Sequence, residues 1–143
     1  MHLETPAGEE YLALAEMARE YRDTHLVALK QLSHYNPRLG VDALCFQRLH
    51  DENDTAWLVG ALITPCALWL VALPAGHGAA MPEAGEYRLV LPAGHYRLER
   101  HVFGRQAWYQ RRILDGLDEL GSMQEAARLA QQLMARLMQA DSA

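Results

Sequence analysis

The chain has 143 residues, of which 50% are hydrophobic and 22% are charged. This length fits one domain with a single continuous core, and this composition excludes an intrinsically disordered protein. A formal net charge of −5 gives no general attraction to nucleic acid or to anionic lipid. Residues 1–10 contain neither the basic nor the apolar region of a signal peptide, so a cytoplasmic location is expected.

The first predicted element is a helix that begins at Thr5-Pro6 and ends before Asn36-Pro37. Thr5 offers a hydroxyl cap, Pro6 suits a first turn, and Glu9 and Glu10 follow beside the positive end of the helix dipole. The apolar residues at helical spacing are Leu14, Ala18, Tyr21, Leu29 and Leu32. His25 shares their face. We interpret it as a hydrogen-bonded core histidine, because no second metal ligand stands at a neighbouring helical position.

After the first predicted helix the spacing of the apolar residues changes from a helical to a strand pattern, and six strands are predicted. They lie near residues 41–49, 56–64, 67–73, 86–91, 95–102 and 106–113. Asp51-Glu52-Asn53-Asp54 is predicted to be a solvated hairpin turn, Pro92-Ala93-Gly94 a tight one, and Gly76–Gly85 the longest flexible stretch. The second and third strands are apolar on both faces, which favours central positions covered on both sides.

Pro65 interrupts the longest apolar run, 56–76. Proline cannot donate to a central ladder, so a turn or bulge at Pro65 is predicted to join two adjacent strands, and no stable membrane insertion is expected. The fifth predicted strand alternates: Tyr96, Leu98 and Val102 are expected to face the core, whereas His95, Arg97, Glu99 and His101 are expected to face water.

A second helix is predicted to open at Ser122, because Ser122-Met123-Gln124-Glu125 has the form of a capping box. Its predicted apolar stripe contains Ala126, Leu129, Leu133 and Leu137, widened by Met134 and Met138. The predicted fold is therefore a single α+β domain over residues 1–143. It has a mainly antiparallel sheet of about six strands, flanked by an N-terminal and a C-terminal helix.

The sequence offers little for catalysis or metal binding. It has no GxxxxGK, GxSxG or HExxH motif, and His95 and His101 would lie roughly 20 Å apart along one strand, too far to share a metal. Cys45 and Cys66 lie in apolar surroundings without CxxC spacing, so both are expected to be buried and reduced, with neither a metal nor a mutual disulfide. We therefore predict no catalytic residues, no metal and no cofactor.

Arginines are concentrated in the last two predicted strands and the turn between them: Arg97, Arg100, Arg105, Arg111 and Arg112. Three interpretations stay open. The arginines could belong to a solvated sheet face, to a patch for a carboxylate-bearing protein, or, with Tyr96, Trp108 and Tyr109, to an RNA-stacking sheet. The net acidic charge disfavours nucleic acid.

A set of motifs in fixed order carries a resemblance. These are Asn36-Pro37-Arg38-Leu39-Gly40-Val41, then Phe46, then the run from Trp57 through Gly60 and Ile63 to Thr64-Pro65, then Leu73-Pro74, then Leu91-Pro92-Ala93-Gly94. In these motifs, and over about residues 10–140, the chain resembles the HybE/HupJ family of [NiFe]-hydrogenase assembly chaperones. Two family features differ. Cys66 replaces a tryptophan after T-P, and Arg112–Leu117 replaces a C-S-L-x-S-P segment, so roles of those residues do not carry over.

The resemblance implies a non-catalytic chaperone that binds large- or small-subunit precursors of [NiFe]-hydrogenase before export, including the twin-arginine signal of the small subunit. The candidate partner-binding residues are Thr64, Pro65, Leu68, Trp69 and Pro74, extending toward Gly76–Gly85, because client recognition favours apolar side chains beside a mobile loop. Leu68 and Trp69 could equally be core residues. The other functions kept open are a small-molecule-binding α+β domain and an unrecognised enzyme.

Overall fold

Two helices and six strands make up the computed structural model, which describes residues 3–75 and 85–139. The elements in chain order are α1 (Gly8–Lys30), β1 (Asp42–His50), β2 (Ala56–Ile63), β3 (Ala67–Pro74), β4 (Glu86–Leu91), β5 (Gly94–Phe103), β6 (Gln106–Asp115) and α2 (Met123–Leu137). The predicted flexible stretch Gly76–Gly85 falls, except for Gly85, outside the described residues. No helix within the described part of the chain is long and apolar enough to cross a membrane.

The six strands form one sheet in the order β1-β2-β3-β6-β5-β4, with every neighbouring pair antiparallel. This confirms the predicted α+β fold. Four of the five pairs join strands that are consecutive in sequence: β1 with β2, β2 with β3, β4 with β5, and β5 with β6. The remaining pair, β3 with β6, brings the two halves of the sheet together, so it depends on a contact between distant parts of the chain.

Each face of the sheet has its own hydrophobic core and its own helix. On one face α2 packs, and Val59, Ile63 and Leu70 lie in that core. On the other face α1 packs, and Leu58, Leu62 and Val71 lie in that core. Successive strand residues point to opposite faces, so the apolar-on-both-faces character of β2 and β3 reflects burial beneath both helices, as predicted.

The start of α1 differs from the prediction. The helix begins at Gly8 with Ala7 as its N-cap, so Thr5 and Pro6 precede it. The Glu10 carboxylate accepts a hydrogen bond from the Ala7 backbone N–H at 2.9 Å, which is one half of a capping box, and the Glu10 N–H donates to the Ala7 carbonyl rather than to a hydroxyl. At the other end α1 stops at Lys30, which leaves Leu32 beyond the helix and 43% exposed.

The start of α2 agrees with the predicted cap. The Ser122 Oγ accepts a hydrogen bond from the Glu125 N–H at 3.2 Å. Glu125 in turn accepts from the N–H of Gly121, one residue earlier than a regular capping box requires. The buried residues of α2 are Ala126, Ala130, Met134 and Leu137. The predicted Leu129 and Leu133 are only partly buried beside them.

The predicted alternation of β5 is wrong at its end. Leu98 is buried as expected, but Val102 is 55% exposed and Phe103 is buried at 1%. Phe103 packs in the core beneath α1. The sheet face that is exposed to solvent at the start of β5 is therefore covered by α1 at the end of the strand. No periodicity within the strand reveals this change.

Candidate functional site

Thr64 and Pro65 form the turn between β2 and β3. The Thr64 Oγ accepts hydrogen bonds from the N–H groups of Cys66 and Ala67, at 3.2 and 3.0 Å, and its hydroxyl donates to the Ala67 carbonyl. Pro65 therefore lies where no ladder hydrogen bond is needed. The prediction that Pro65 joins two adjacent strands is confirmed.

Asn36 connects this turn to two other loops. Its backbone N–H donates to the Pro65 carbonyl at 3.0 Å, and its side-chain amide donates to the carbonyls of Leu117 and Leu120, each at 2.8 Å. Its Oδ1 accepts from the Arg38 N–H. Asn36 is only 2% exposed. This residue and its proline, Pro37, thus mark a buried junction of three loops at one end of the sheet.

The remaining motif residues also have structural roles. The ring of Phe46 packs directly over Gly60, where a Cβ would lie 2.8 Å from the Phe46 Cα. Ile63 is fully buried and Val41 is partly buried beneath α1. The hairpin containing Pro92 and Gly94 docks on α2, because the Ala93 N–H donates to the Leu137 carbonyl.

Trp57 is held by the turn that the sequence predicted to be merely solvated. Its Nε1 donates to the Asp51 carboxylate at 3.0 Å, and its ring stacks on Tyr87 with centroids 4.0 Å apart. Desolvation opposes ionisation of Asp51, but hydrogen bonds from Thr55, Trp57 and Asn53 outweigh it and lower the pKa of this carboxyl. Desolvation, helped by the charge of Asp51, raises the pKa of Tyr87 to about 12.

The predicted partner-binding residues do not form one continuous surface. Thr64 and Leu68 are buried, at 1% and 0% exposure, and Pro65 is also buried. Trp69 and Pro74 are half-buried. They stand five residues apart on β3, roughly 17 Å at 3.3 Å per residue. Trp69 and Pro74 are thus the members that a partner can reach, and each borders a different groove.

The groove at Trp69 is rich in arginine. It has a volume of about 570 Å³ and crosses β3, β6 and β5. Its charged lining is Arg97, Arg100, Arg111 and Arg112 against Glu99. The Arg112 guanidinium lies 5.8 Å from the centre of the Trp69 ring, a cation–π contact between directly opposed residues of β6 and β3. We call this feature the arginine groove.

Two of the three aromatic residues predicted to stack RNA are not available for that purpose, and the third, Tyr96, is partly buried against the core beneath α2. Trp108 and Tyr109 are buried at 0% and 1% exposure. Their rings pack in the cores on opposite faces of the sheet. Trp69 is the half-exposed aromatic residue of the arginine groove, and the sequence did not associate it with the arginines because they are about 40 residues apart.

The groove at Pro74 has the opposite character. It has a volume of about 180 Å³ and lies between α1 and the sheet, with an apolar lining of Leu14, Met17, Leu58 and Leu73. Glu9, Glu10 and Arg48 complete it, and Glu10 forms an ion pair with Arg48. We call this feature the Pro74 groove.

His25 and His101 form a pair that the sequence did not predict. Their Nε2 atoms lie 2.9 Å apart, between α1 and β5, so one ring donates and the other accepts. Tyr21 contacts both rings. Burial lowers the pKa of both histidines, and the nearby His25 lowers that of His101 further. The interpretation of His25 as a hydrogen-bonded histidine agrees with this contact, but its partner is 76 residues away.

The two thiols differ in exposure. Cys66 is buried, whereas Cys45 is only partly buried, so the expectation of two buried thiols is wrong for Cys45. Cys45 lies in the irregular part of β1 between Leu44 and Gln47, with φ of +60°. That bulge turns its side chain out of the regular register. Both thiols are free, and burial raises the pKa of each.

No group of three or more His, Cys, Asp or Glu side chains with the geometry of a metal site exists among residues 3–75 and 85–139. A cavity of about 300 Å³ lies near Asp51 and Tyr87. The Asp51 carboxylate there already accepts hydrogen bonds from Asn53, Thr55 and Trp57. These bonds stabilise the turn and fix the Trp57 side chain.

Comparison with known families agrees with the motifs. Residues 13–143 match the family model described as [NiFe]-hydrogenase assembly, chaperone, HybE. No curated protein and no solved structure gives a significant match to the chain. The family match covers nearly all of the chain, including α2 and every strand that carries the motif residues. The chain therefore belongs to the HybE family of [NiFe]-hydrogenase assembly chaperones.

Proposed function

We propose that this protein is non-catalytic and binds a [NiFe]-hydrogenase subunit precursor in the cytoplasm during maturation, before export. The family match over residues 13–143 is the observation that carries this proposal. The surface supports it, because two grooves of different chemistry border β3 and each contains one accessible residue of the predicted site, Trp69 or Pro74.

We further propose that the Pro74 groove receives the twin-arginine signal of the small subunit. Such a signal joins a basic segment to an apolar one. The apolar lining of this groove suits the second, and the exposed Glu9 favours the first, whereas Glu10 is buried and already paired with Arg48. Arg48 offsets part of that acidic charge, so apolar contact is expected to supply most of the affinity.

Capture of individual precursors tests the binding proposal. The tagged chain is co-expressed with the large-subunit precursor, with the small-subunit precursor, or with a small subunit that lacks its signal. We expect specific capture of a precursor, and loss of small-subunit capture when the signal is removed. Failure to capture either precursor would refute the proposed function, whereas equal capture without the signal would refute only the role of the signal.

Trp69 and Pro74 allow the surface itself to be tested. Trp69 packs partly against the core beneath α1, so Trp69→Ala should lower the free energy of unfolding by less than the 3–5 kcal/mol of a fully buried tryptophan. It should weaken precursor binding by about 2 kcal/mol or more. Tyr11→Ala, at an exposed aromatic residue of α1, is the matched control. Wild-type capture by both Trp69→Ala and Pro74→Ala would exclude these grooves as the client site.

A further inference from the structure

We propose that the arginine groove binds an acidic, carboxylate-rich segment of the client polypeptide, with Trp69 as its apolar contact. The inference rests on the proposed function for the identity of the client. It adds the chemistry that the client must present, and it assigns that chemistry to a surface distinct from the Pro74 groove.

The charge of the groove is the first argument. The protein carries a net charge of −5, yet this surface places four arginines around one glutamate. Glu86 and Asp115 lie nearby: Glu86 is 3.7 Å from Arg97, and Asp115 is 3.1 Å from Arg112. In both pairs every side chain is more than half exposed, so each pair contributes little stability and can exchange for an external carboxylate.

The strand register gives a second argument. Arg88 of β4 lies directly opposite Arg97 of β5, and both side chains are exposed. Like charges directly opposite each other destabilise a sheet. Arg88 also donates a hydrogen bond to the His95 Nδ1. The arginine groove thus adjoins a second arginine-lined surface that contains Arg88, Arg97 and Arg111, where an anionic partner would offset the repulsion between Arg88 and Arg97.

The third argument is the geometry at Trp69. The guanidinium of Arg112 lies near the face of the Trp69 ring, which limits the rotamers of a long side chain and positions its N–H groups. A planar guanidinium binds a carboxylate through two parallel hydrogen bonds. The half-buried Trp69 ring offers adjacent apolar area. An extended peptide that alternates acidic and apolar residues matches this combination.

Other occupants fit less well. A twin-arginine segment would place positive charge against four arginines. Single-stranded RNA requires exposed aromatic rings for successive bases, whereas Trp108 and Tyr109 are buried and Tyr96 packs partly against the core beneath α2. An acidic polypeptide fits the groove better, because it supplies carboxylates for the arginines and needs only one aromatic contact.

Peptide binding tests the inference. Three fluorescein-labelled decapeptides are used, in which Leu is spaced by Asp/Glu, by Lys/Arg or by Asn/Gln, together with a labelled oligouridylate. Fluorescence anisotropy of each probe is measured with the full chain in 50 and 300 mM NaCl. We expect the acidic peptide to bind most tightly, and its affinity to fall at the higher salt concentration because the groove is exposed. Equal or tighter binding of the basic peptide, the neutral peptide or the oligouridylate would overturn the proposal.

Matched double variants locate the site. Arg97→Gln with Arg112→Gln removes two charges from the groove, and Arg128→Gln with Arg136→Gln removes two charges from exposed positions on α2. The groove pair should weaken binding of the acidic peptide by about tenfold or more, because charge-assisted hydrogen bonds are lost. The α2 pair should leave it unchanged within about twofold. Similar affinities for the two pairs would contradict the assigned site, and far-UV circular dichroism confirms that each variant is folded.

Precursor capture separates this inference from the proposed function. If the natural chain and the groove pair capture the precursor equally, the acidic segment is not recognised here, although the chaperone function stands. If the natural chain captures no precursor but binds the acidic peptide through the groove, the proposed function fails while the chemistry of the groove is supported.

Discussion

Gly60 illustrates how one residue sets the distance between a strand and the side chain that covers it. The Phe46 ring occupies the space that a side chain at position 60 would need. Gly60→Ala should therefore lower the free energy of unfolding by about 1–3 kcal/mol, through overpacking. Gly40 has open space around its Cα, so Gly40→Ala should change stability by less than about 1 kcal/mol. Urea denaturation of both variants checks this, and equal midpoints would contradict it.

The His25–His101 pair predicts a pH dependence with a defined sign. Burial lowers both pKa values below the ordinary 6.5, so the folded protein binds fewer protons than the unfolded chain. Stability should then be lost as the pH falls from about 6.5 through the lower folded values. Protonation of both rings would also point two N–H groups at each other across 2.9 Å.

Thermal unfolding at pH 8 and pH 5.5 tests this effect. The Tm of the natural protein should fall more between these pH values than that of His101→Gln, which retains only one of the two partly buried imidazoles. His34→Gln serves as the histidine control, because His34 is not part of the pair. An identical fall in all three proteins would show that the pair does not titrate in this range.

Single residues were predictable where a local rule governs them. Pro65 had to leave the ladder, and Ser122 had to cap a helix, because both constraints act within a few residues. The His25–His101 contact, the Trp69–Arg112 contact and the Asn36 junction join residues far apart in the chain. They depend on strand order, which no local pattern encodes. The partial exposure of Cys45 accompanies a bulge in β1, which likewise gave no signal in the sequence.

At the scale of elements, Asn36 determines how three loops meet. Asn36→Ala would remove the side-chain donor from the Leu117 and Leu120 carbonyls, and Leu117 would keep only the Leu120 backbone N–H. We expect a loss of about 2–4 kcal/mol in the free energy of unfolding. Asn53→Ala is the control, because the turn uses the backbone N–H of Asn53, and its side chain is exposed. Chemical denaturation that gives the same stability for both variants would contradict this role.

The strands themselves were predicted within one or two residues, because proline, glycine and charged turns separate short apolar runs. Their order was not predicted, since β3 pairs with β6 across about 40 residues of sequence. That pairing also creates the arginine groove: Trp69 comes from β3, Arg112 from β6 and Arg97 from β5. The sequence identified the arginines and the tryptophan separately, and only the strand order shows that they share one surface.

Across the whole molecule, one sheet is shared by two cores. The α2 face contains Trp57, whereas the α1 face contains Trp69 and Trp108. β2 and β3 contribute alternate residues to both cores, so neither core can lose its order without affecting the other. Most small single domains unfold in one cooperative transition. This architecture predicts that a substitution that destabilises the core beneath α2 will also destabilise the core beneath α1.

Ala130 and Ala135 provide the test of that coupling. Ala130 is fully buried on the face of α2 that packs on the sheet, and Ala135 is exposed on the same helix. In a Trp57→Phe background, intrinsic tryptophan fluorescence reports only the α1 face. Ala130→Asn, which buries an amide beneath α2, should lower the urea midpoint of this fluorescence transition, and far-UV circular dichroism should give the same midpoint. The destabilisation should be about 2–4 kcal/mol, whereas Ala135→Asn should cost less than about 1 kcal/mol. A fluorescence midpoint that does not move with Ala130→Asn would show that the two cores unfold independently.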